Sequence, residues 1–519
     1  MRTAARLTSS DQTLPELDPR MPLRRPPEWG SHEAYELPKL SSSCMWRFED
    51  DCKSISASAD SQEPPEVPEA LAVRFCPYQS LDAPVFAVIT KKHIVIYRLP
   101  AGQESGDGKV LTIIRDADPG ALLYTCTWIL DRRTSVPYLC VAGKDALIKV
   151  YDINKGRIHR TLSGHGGGIN DLNTCPVNSE LILSASTDTT VRVWSFDPIH
   201  NEQPCLFILG GEGHKSDVES AAWHSKGRYI VSGGIDSCVN LWLVPELPTA
   251  PVDSPAQVIW PHFSTVALHS AIVDCVAFFG DYILSKGNQD NVIIMWKIMG
   301  FSSEDEPDTD IAPLPAIHRP GNKDPSQLTR SAFVPRVTRQ CPTQYERRMQ
   351  FSTPKVNEFF YTFFELHHQP DQHPILTFAN PAGSVYFWSL QRIVEYDRIS
   401  TLIRKSKKRK EAKYLPRWLR PDTGNPATDT AASYSCDEFR EAWDDKYTMV
   451  DGQHALEPHV TINVPRSRSA SNKLEPDFFG RQISWSPNGE WCVVSGSLNR
   501  VLMLRRWHTP QQESSTTSS

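Results

Sequence analysis

Four segments of the chain repeat one pattern: GKDALIKVYD, STDTTVRVWS, GIDSCVNLWL and NQDNVIIMWK. In each, an aspartate stands six residues before an aromatic, giving the pairs Asp145–Tyr151, Asp188–Trp194, Asp236–Trp242 and Asp290–Trp296. An aspartate in a tight turn can cap backbone N–H groups, and the alternating apolar residues after it read as a strand. Upstream lie SGHGG with His165 and EGHKS with His214, and Ser184 and Ser232 fall ten residues before Trp194 and Trp242. His165, Ser184, Asp188 and Trp194, and likewise His214, Ser232, Asp236 and Trp242, are expected to form one buried hydrogen-bonded chain per unit. A catalytic triad uses the same residue types, but it would not recur in consecutive units with a tryptophan attached.

The pattern resembles the WD repeat, whose units are four-stranded blades of about 40–45 residues in a β-propeller. The Trp-Asp dipeptide itself is missing, and only Tyr151-Asp152 keeps the aspartate. Three further segments complete a set of seven, with blades ending near residues 97, 151, 194, 242, 296, 388 and 507. In the last, Arg505 holds the expected rung and Trp507 stands late. The expected fold is all-β, a seven-bladed WD-repeat propeller over 44–508. It carries inserts at 301–350 and 391–476, the second basic and disordered, between disordered segments 1–43 and 509–519. An open ring leaves an exposed sheet edge, so a strand from the far terminus should latch the last blade. CMWRFEDDCKSISA, beginning at Cys44, is the expected latch.

Composition narrows the function. The net charge of −6 over 519 residues gives no global basic field for nucleic acid. No apolar run is long enough to span a bilayer, and the N-terminus lacks an apolar signal core, so no membrane association is expected. The twelve cysteines are scattered without a C-x-x-C pair. Cys126, Cys140, Cys238, Cys275 and Cys492 sit in apolar strands and read as buried thiols of a cytosolic or nuclear protein. No metal cluster, phosphate loop or cofactor motif appears, and no nucleophile–base pair stands outside the repeats, so no enzyme is expected. The basic run Arg404, Lys405, Lys407, Lys408, Arg409, Lys410 suits nuclear import, a nucleic-acid contact, or a solvated helix end.

Aligning the innermost strands places one residue of each blade at the channel mouth, two before the core position. The ring is Leu71, Tyr124, Asn170, Glu219, Asp274, Phe360 or Tyr361, and Arg481. Aromatic faces attract weakly hydrated cations, and carboxylates favour the same charge. The mouth thus suits a methylated ammonium group, although rim aromatics can equally pack against the next loop.

RDADPGALLYTCTW, PYLCVAG, GHGGGIND, SGGIDSCVNLW, PHFST and VDCVAFFGDYILSK resemble the EED/extra sex combs family, the WD-repeat subunits of Polycomb repressive complex 2. The similarity runs in order from about residue 70 to 300 and more weakly to the end. The resemblance implies a non-catalytic nuclear scaffold for a SET-domain histone methyltransferase and other Polycomb subunits. It also implies a reader of trimethyl-lysine on the histone H3 tail that stimulates that methyltransferase allosterically. Carried over, the methyl-lysine cage is Tyr124, Phe360, Tyr361 and Leu71, with Asn170, Asp274 and Glu219 lining the pocket. Leu71 departs from the family's aromatic, and Thr187 stands where the family has a lysine. Phe75 cannot replace Leu71, because it lies four residues, roughly 13 Å, along the strand. One lost cation–π contact is worth on the order of 0.5–2 kcal/mol. The long second insert points to a fungal-type lineage. The competing readings are an adaptor presenting substrates to a ubiquitin ligase, and a nucleic-acid-binding scaffold using the basic run.

Overall fold

The repeat aspartates build their turns as their chemistry requires. Asp145, Asp188 and Asp236 each accept the backbone N–H two residues on, at 3.2, 3.0 and 3.1 Å. The residue after each, Ala146, Thr189 or Ser237, adopts a left-handed conformation, as does Asn291 after Asp290. That backbone reversal launches the third strand of the blade.

In the computed structural model the strands form seven blades around one channel, each antiparallel through its first four strands. The structure describes residues 26–48, 68–78, 84–100, 108–305, 328–333, 343–354, 356, 361–405, 415–420, 436–449, 453–466 and 477–507. The inner strands are Ala70–Phe75, Leu123–Asp131, Ile169–Cys175, Val218–Trp223, Val273–Phe279, Phe364–His367 and Gly480–Trp485. Each touches the inner strands of both neighbouring blades, so the ring is closed. Polar side chains serve the inward edges: Gln482 and Ser484 accept the N–H groups of Val73 and Phe75, and Thr125 accepts that of Leu172. An edge otherwise left unpaired is thereby satisfied. Second strands such as Val85–Thr90 and Tyr229–Gly234 are buried along their whole length, because blades pack on both of their faces.

The ring closes with Lys39–Met45, paired antiparallel with Arg500–Arg505 from Lys39↔Arg505 to Met45↔Arg500. The expected latch therefore lies too late: only Cys44 and Met45 of that segment are in the strand, and residues 49–57 lie outside the described residues. The expectation of disorder across 1–43 also fails from residue 26 onward. Arg506 donates to the carbonyls of Glu36 and Ala34, and Trp507 to that of Glu33, so the late aromatic anchors the N-terminal segment.

Both expected inserts carry structure. Tyr345–Ser352, which begins within the first and ends just past it, is the outer strand of the fifth blade, and Val460–Asn463, within the second, is that of the sixth. Thr329–Ser331 and Ala455–Leu456 add fifth strands to the fourth and fifth blades. Helices α1 (Leu390–Lys405) and α2 (Cys436–Tyr447) pack Ile393, Tyr396, Trp443 and Tyr447 into the cluster around Trp388. Tyr396 donates to Asp444 at 2.9 Å, tying the helices together. The expected disorder of 391–476 thus gives way to a helical buttress over its described part.

Candidate functional site at the channel mouth

The His/Ser/Asp/Trp residues come together inside their blades. His165 Nδ1 meets Asp188 at 2.7 Å and Nε2 meets Ser184 at 2.6 Å, while Trp194 donates to Ser184 at 2.8 Å. His214, Asp236, Ser232 and Trp242 repeat this at 3.0, 2.8 and 2.9 Å. Burial would raise the Asp188 carboxyl, but the His165 hydrogen bond overrides it and holds it low, and burial keeps His165 neutral. The neutral imidazole then donates from Nδ1 to the carboxylate and accepts the serine hydroxyl at Nε2. A third chain, His269–Asp290–Ser285–Trp296, escaped sequence reasoning. Ser285 lies eleven residues before its tryptophan rather than ten. In the second blade, Lys149 bridges Asp116 and Asp145, and Tyr151 donates to Asp116. These residues brace blades and expose no nucleophile.

The mouth is built by a defect repeated around the ring. In six blades the inner strand slips register at one residue: Leu71, Tyr124, Asn170, Glu219, Asp274 and Arg481. A β-bulge re-aims its extra residue, so strict alternation stops at this rung. Opposite the Tyr124 bulge stands Gly143, where a Cβ would lie 1.9 Å from the Leu122 carbonyl oxygen. Only glycine admits that approach.

In the sixth blade, Tyr361 precedes the strand and adopts φ 63°, an unusual state for a bulky residue, of the kind that clusters at functional sites. Its ring stands 6.2 Å from that of Tyr124, tilted by 60°. The two make a corner, and a cation in front of it can lie within about 6 Å of both faces. Phe363, which sequence reasoning missed, packs edge-on against Tyr361 at 5.8 Å. Arg481 donates to the Tyr361 carbonyl, pairs with Glu69 at 2.8 Å, and covers Phe479 at 4.2 Å. Phe360 lies outside the described residues, and Leu71 is half-buried on its bulge.

The polar residues divide. Asn170 is buried and donates to the Val218 carbonyl at 3.0 Å, bridging two blades. Asp274 has no exposure and is paired with the equally buried Lys286 at 2.6 Å, so it braces the wall instead of facing a ligand as expected. Glu219 is 3% exposed, and its Oε2 has no hydrogen-bond partner. Beneath the mouth a cavity of about 340 Å³ is lined by Arg74, Asp171, Asn173, Phe363 and Glu365 among others. Arg74 reaches Glu365 and Asn173, each at 3.3 Å. Of the basic run, Arg404 and Lys405 close α1, and Lys407, Lys408, Arg409 and Lys410 lie outside the described residues.

Residues 156–195 and 203–242 match the family described as WD domain, G-beta repeat. The chain is 33% identical to the Polycomb protein EED of Chaetomium thermophilum, over 94% of this chain and 98% of that one. The chain belongs to the Polycomb EED family. It is also 34% identical to the Polycomb protein esc of Drosophila melanogaster, over 41% of this chain and 52% of that protein. The fold matches a solved Polycomb repressive complex 2 of Chaetomium thermophilum with a TM-score of 0.78 and 36% identity, covering 91% of this chain and 98% of that one. A structure described as ctPRC2 in complex with H3K27me3 matches with a TM-score of 0.79 and 36% identity, covering 92% and 99%. This EED-family chain is therefore a seven-bladed WD-repeat propeller, with no metal-ligating cluster and no helix long and apolar enough to cross a membrane among its described residues.

Proposed function

We infer that this chain is a non-catalytic scaffold of a Polycomb repressive complex 2 methyltransferase and reads trimethyl-lysine on the histone H3 tail. The observation that carries the reading is the Tyr124–Tyr361 corner at the channel mouth, in a chain matching almost all of an EED relative. A trimethylammonium group holds its water weakly, and two aromatic faces favour it over a bare ammonium. Occupation of the mouth would stimulate the SET-domain partner, supporting gene silencing in the nucleus. The match to a relative in a complex with H3K27me3 supports the same reading.

The test is a titration of trimethylated and unmethylated H3-tail peptides against the purified protein. Trimethylated peptide should bind more tightly, and Tyr124→Ala should lose about 2–30-fold, the worth of one cation–π contact. Leu71→Phe should gain within the same range by restoring an aromatic wall. Equal affinities for both peptides, or an unchanged Tyr124→Ala, would sink the reader role. Co-purification with the co-expressed methyltransferase tests the scaffold role separately. The run Arg404–Lys413 keeps its reading as an import signal or a nucleic-acid contact. Its deletion should abolish nuclear accumulation in the first case and a steep salt dependence of RNA or DNA binding in the second.

A further inference from the structure

Glu219 is the member of the rim that neither the hydrogen-bond chains nor the blade contacts account for. It occupies the bulge of the fourth blade, between Val218, paired to Gly234, and Ser220, paired to Gly233. Its carboxyl is buried, and one oxygen has no partner. Its surroundings are acidic or aromatic. Asp217 precedes it in the chain, Asp274 faces it from the fifth blade, and Tyr361 lies in its field from the sixth. Tyr361 also feels Tyr124 of the second blade and Asp171 of the third. Among the described residues, the cations nearby are committed elsewhere: Lys286 is paired with Asp274, and Arg481 with Glu69. In the free protein an ionised Glu219 would therefore sit desolvated and without a counter-charge from any described residue.

We propose that Glu219 makes lysine reading proton-linked: its carboxyl is neutral in the empty mouth and releases its proton to solvent when a methylated ammonium enters beside Tyr124 and Tyr361. The inference rests on the reader assignment above and adds the residue that tunes it. Burial, with Asp274 and then Asp217 adding to it, pushes the Glu219 carboxyl up to about 8. A bound quaternary ammonium has no proton of its own to lose and supplies the missing counter-charge, which favours the carboxylate. The carboxylate then offsets the aromatic wall lost at Leu71, replacing a cation–π face with a buried charge.

The decisive measurement is the affinity of a blocked, histidine-free, trimethyl-lysine H3 peptide between pH 6.5 and 9. Calorimetry in buffers of different ionisation heat gives the protons released. About one Glu219 in eleven is ionised at pH 7 and about ten in eleven at pH 9, so affinity should rise about tenfold across that interval. Close to one proton should leave per peptide at pH 7. Tyr124 and Tyr361 are both shifted upward, away from this window. Glu219→Gln should flatten the profile and abolish proton release while still preferring trimethylated peptide. If that variant fails to fold, the wild-type proton count alone decides. Methyl-selective binding with a flat profile and no proton release overturns this inference and leaves the reader role standing. No binding at any pH overturns both.

Discussion

Lys286 shows how much one side chain can control in this ring. It has no exposure, both Asp274 oxygens lie within 2.9 Å of its Nζ, and the Phe378 ring stands 5.7 Å away. Burial pushes the Asp274 carboxyl up and Lys286 opposes that shift. Removing one partner of such a pair leaves a buried charge uncompensated, whereas removing both leaves only a packing change. Lys286→Met should therefore destabilise by about 3–5 kcal/mol in urea unfolding, and Lys286→Met with Asp274→Leu should recover most of it. Equal losses in the single and double variants would show that the pair does not hold the wall. Ser285 offers a second test, because its hydroxyl oxygen accepts from Trp296 and its proton meets His269. Ser285→Ala should lose about 1–3 kcal/mol by the same measurement, as should Ser184→Ala. The equivalence would confirm by energy a third chain that the spacing of Ser285 hid.

Elements explain which parts of this architecture the sequence made legible. The turn aspartates and the aromatics six residues after them announced blades two to five, because each occupies a position that geometry repeats. The latch was misplaced because Lys39–Met45, KLSSSCM, shows no apolar alternation in its residues, although its burial in the structure alternates between exposed and half-buried. It is a strand because Arg500–Arg505 presents an edge to it, not because its own pattern demands one. The inserts misled for a related reason: α2 is charged along most of its length, and among its described side chains Trp443 and Tyr447 are the buried ones. The rim positions were legible as a ring of one residue per blade. The bulges that aim those residues were not, since a register slip leaves no trace in a hydrophobic pattern. Nor did the pattern show that Lys286 would neutralise Asp274. Deletion through residue 25 spares the closing strand and the Glu33–Glu36 anchor, while deletion through Met45 removes both. The longer truncation should lower the Tm by roughly 10 °C or more and promote self-association through the bared edge of Arg500–Arg505. Equal melting of the two truncations would refute the latch.

At the scale of the whole molecule, closure and acidity are coupled. His367 and His373 both belong to the sixth blade beside the closing seventh. His367 stacks on Trp485 at 5.0 Å and bonds Gln372 at 2.6 Å, while His373 lies edge-on to Trp29 and Tyr35 of the N-terminal segment. Burial, with Arg506 adding to it, brings each imidazole down to about 4. An unfolded histidine titrates near 6.5, so below that value the unfolded chain binds more protons than the folded one. Stability is thus whole above about pH 6.5 and declines as the pH falls towards 4, by roughly 2 kcal/mol for each of these histidines at pH 5. The depressed aspartates act in the same direction but later. Asp290, which burial would raise but His269 holds at about 2, loses its contribution only below the ordinary aspartate value near 4. Acid should therefore weaken the junction of blades six and seven most, because two strongly depressed imidazoles sit there, whereas His165 in the third blade and His224 and His262 in the fourth are lowered less and add smaller losses over the same range. Hydrogen exchange at pH 5 against pH 7, corrected for the intrinsic rate, should show the earliest loss of protection in Lys39–Met45 and Arg500–Arg505. Blades three and four should lose protection later and less. A melting temperature that stays flat from pH 6.5 to 5, or exchange that opens the third and fourth blades first, would contradict the ordering, because neither outcome can follow from neutral histidines buried at the closure.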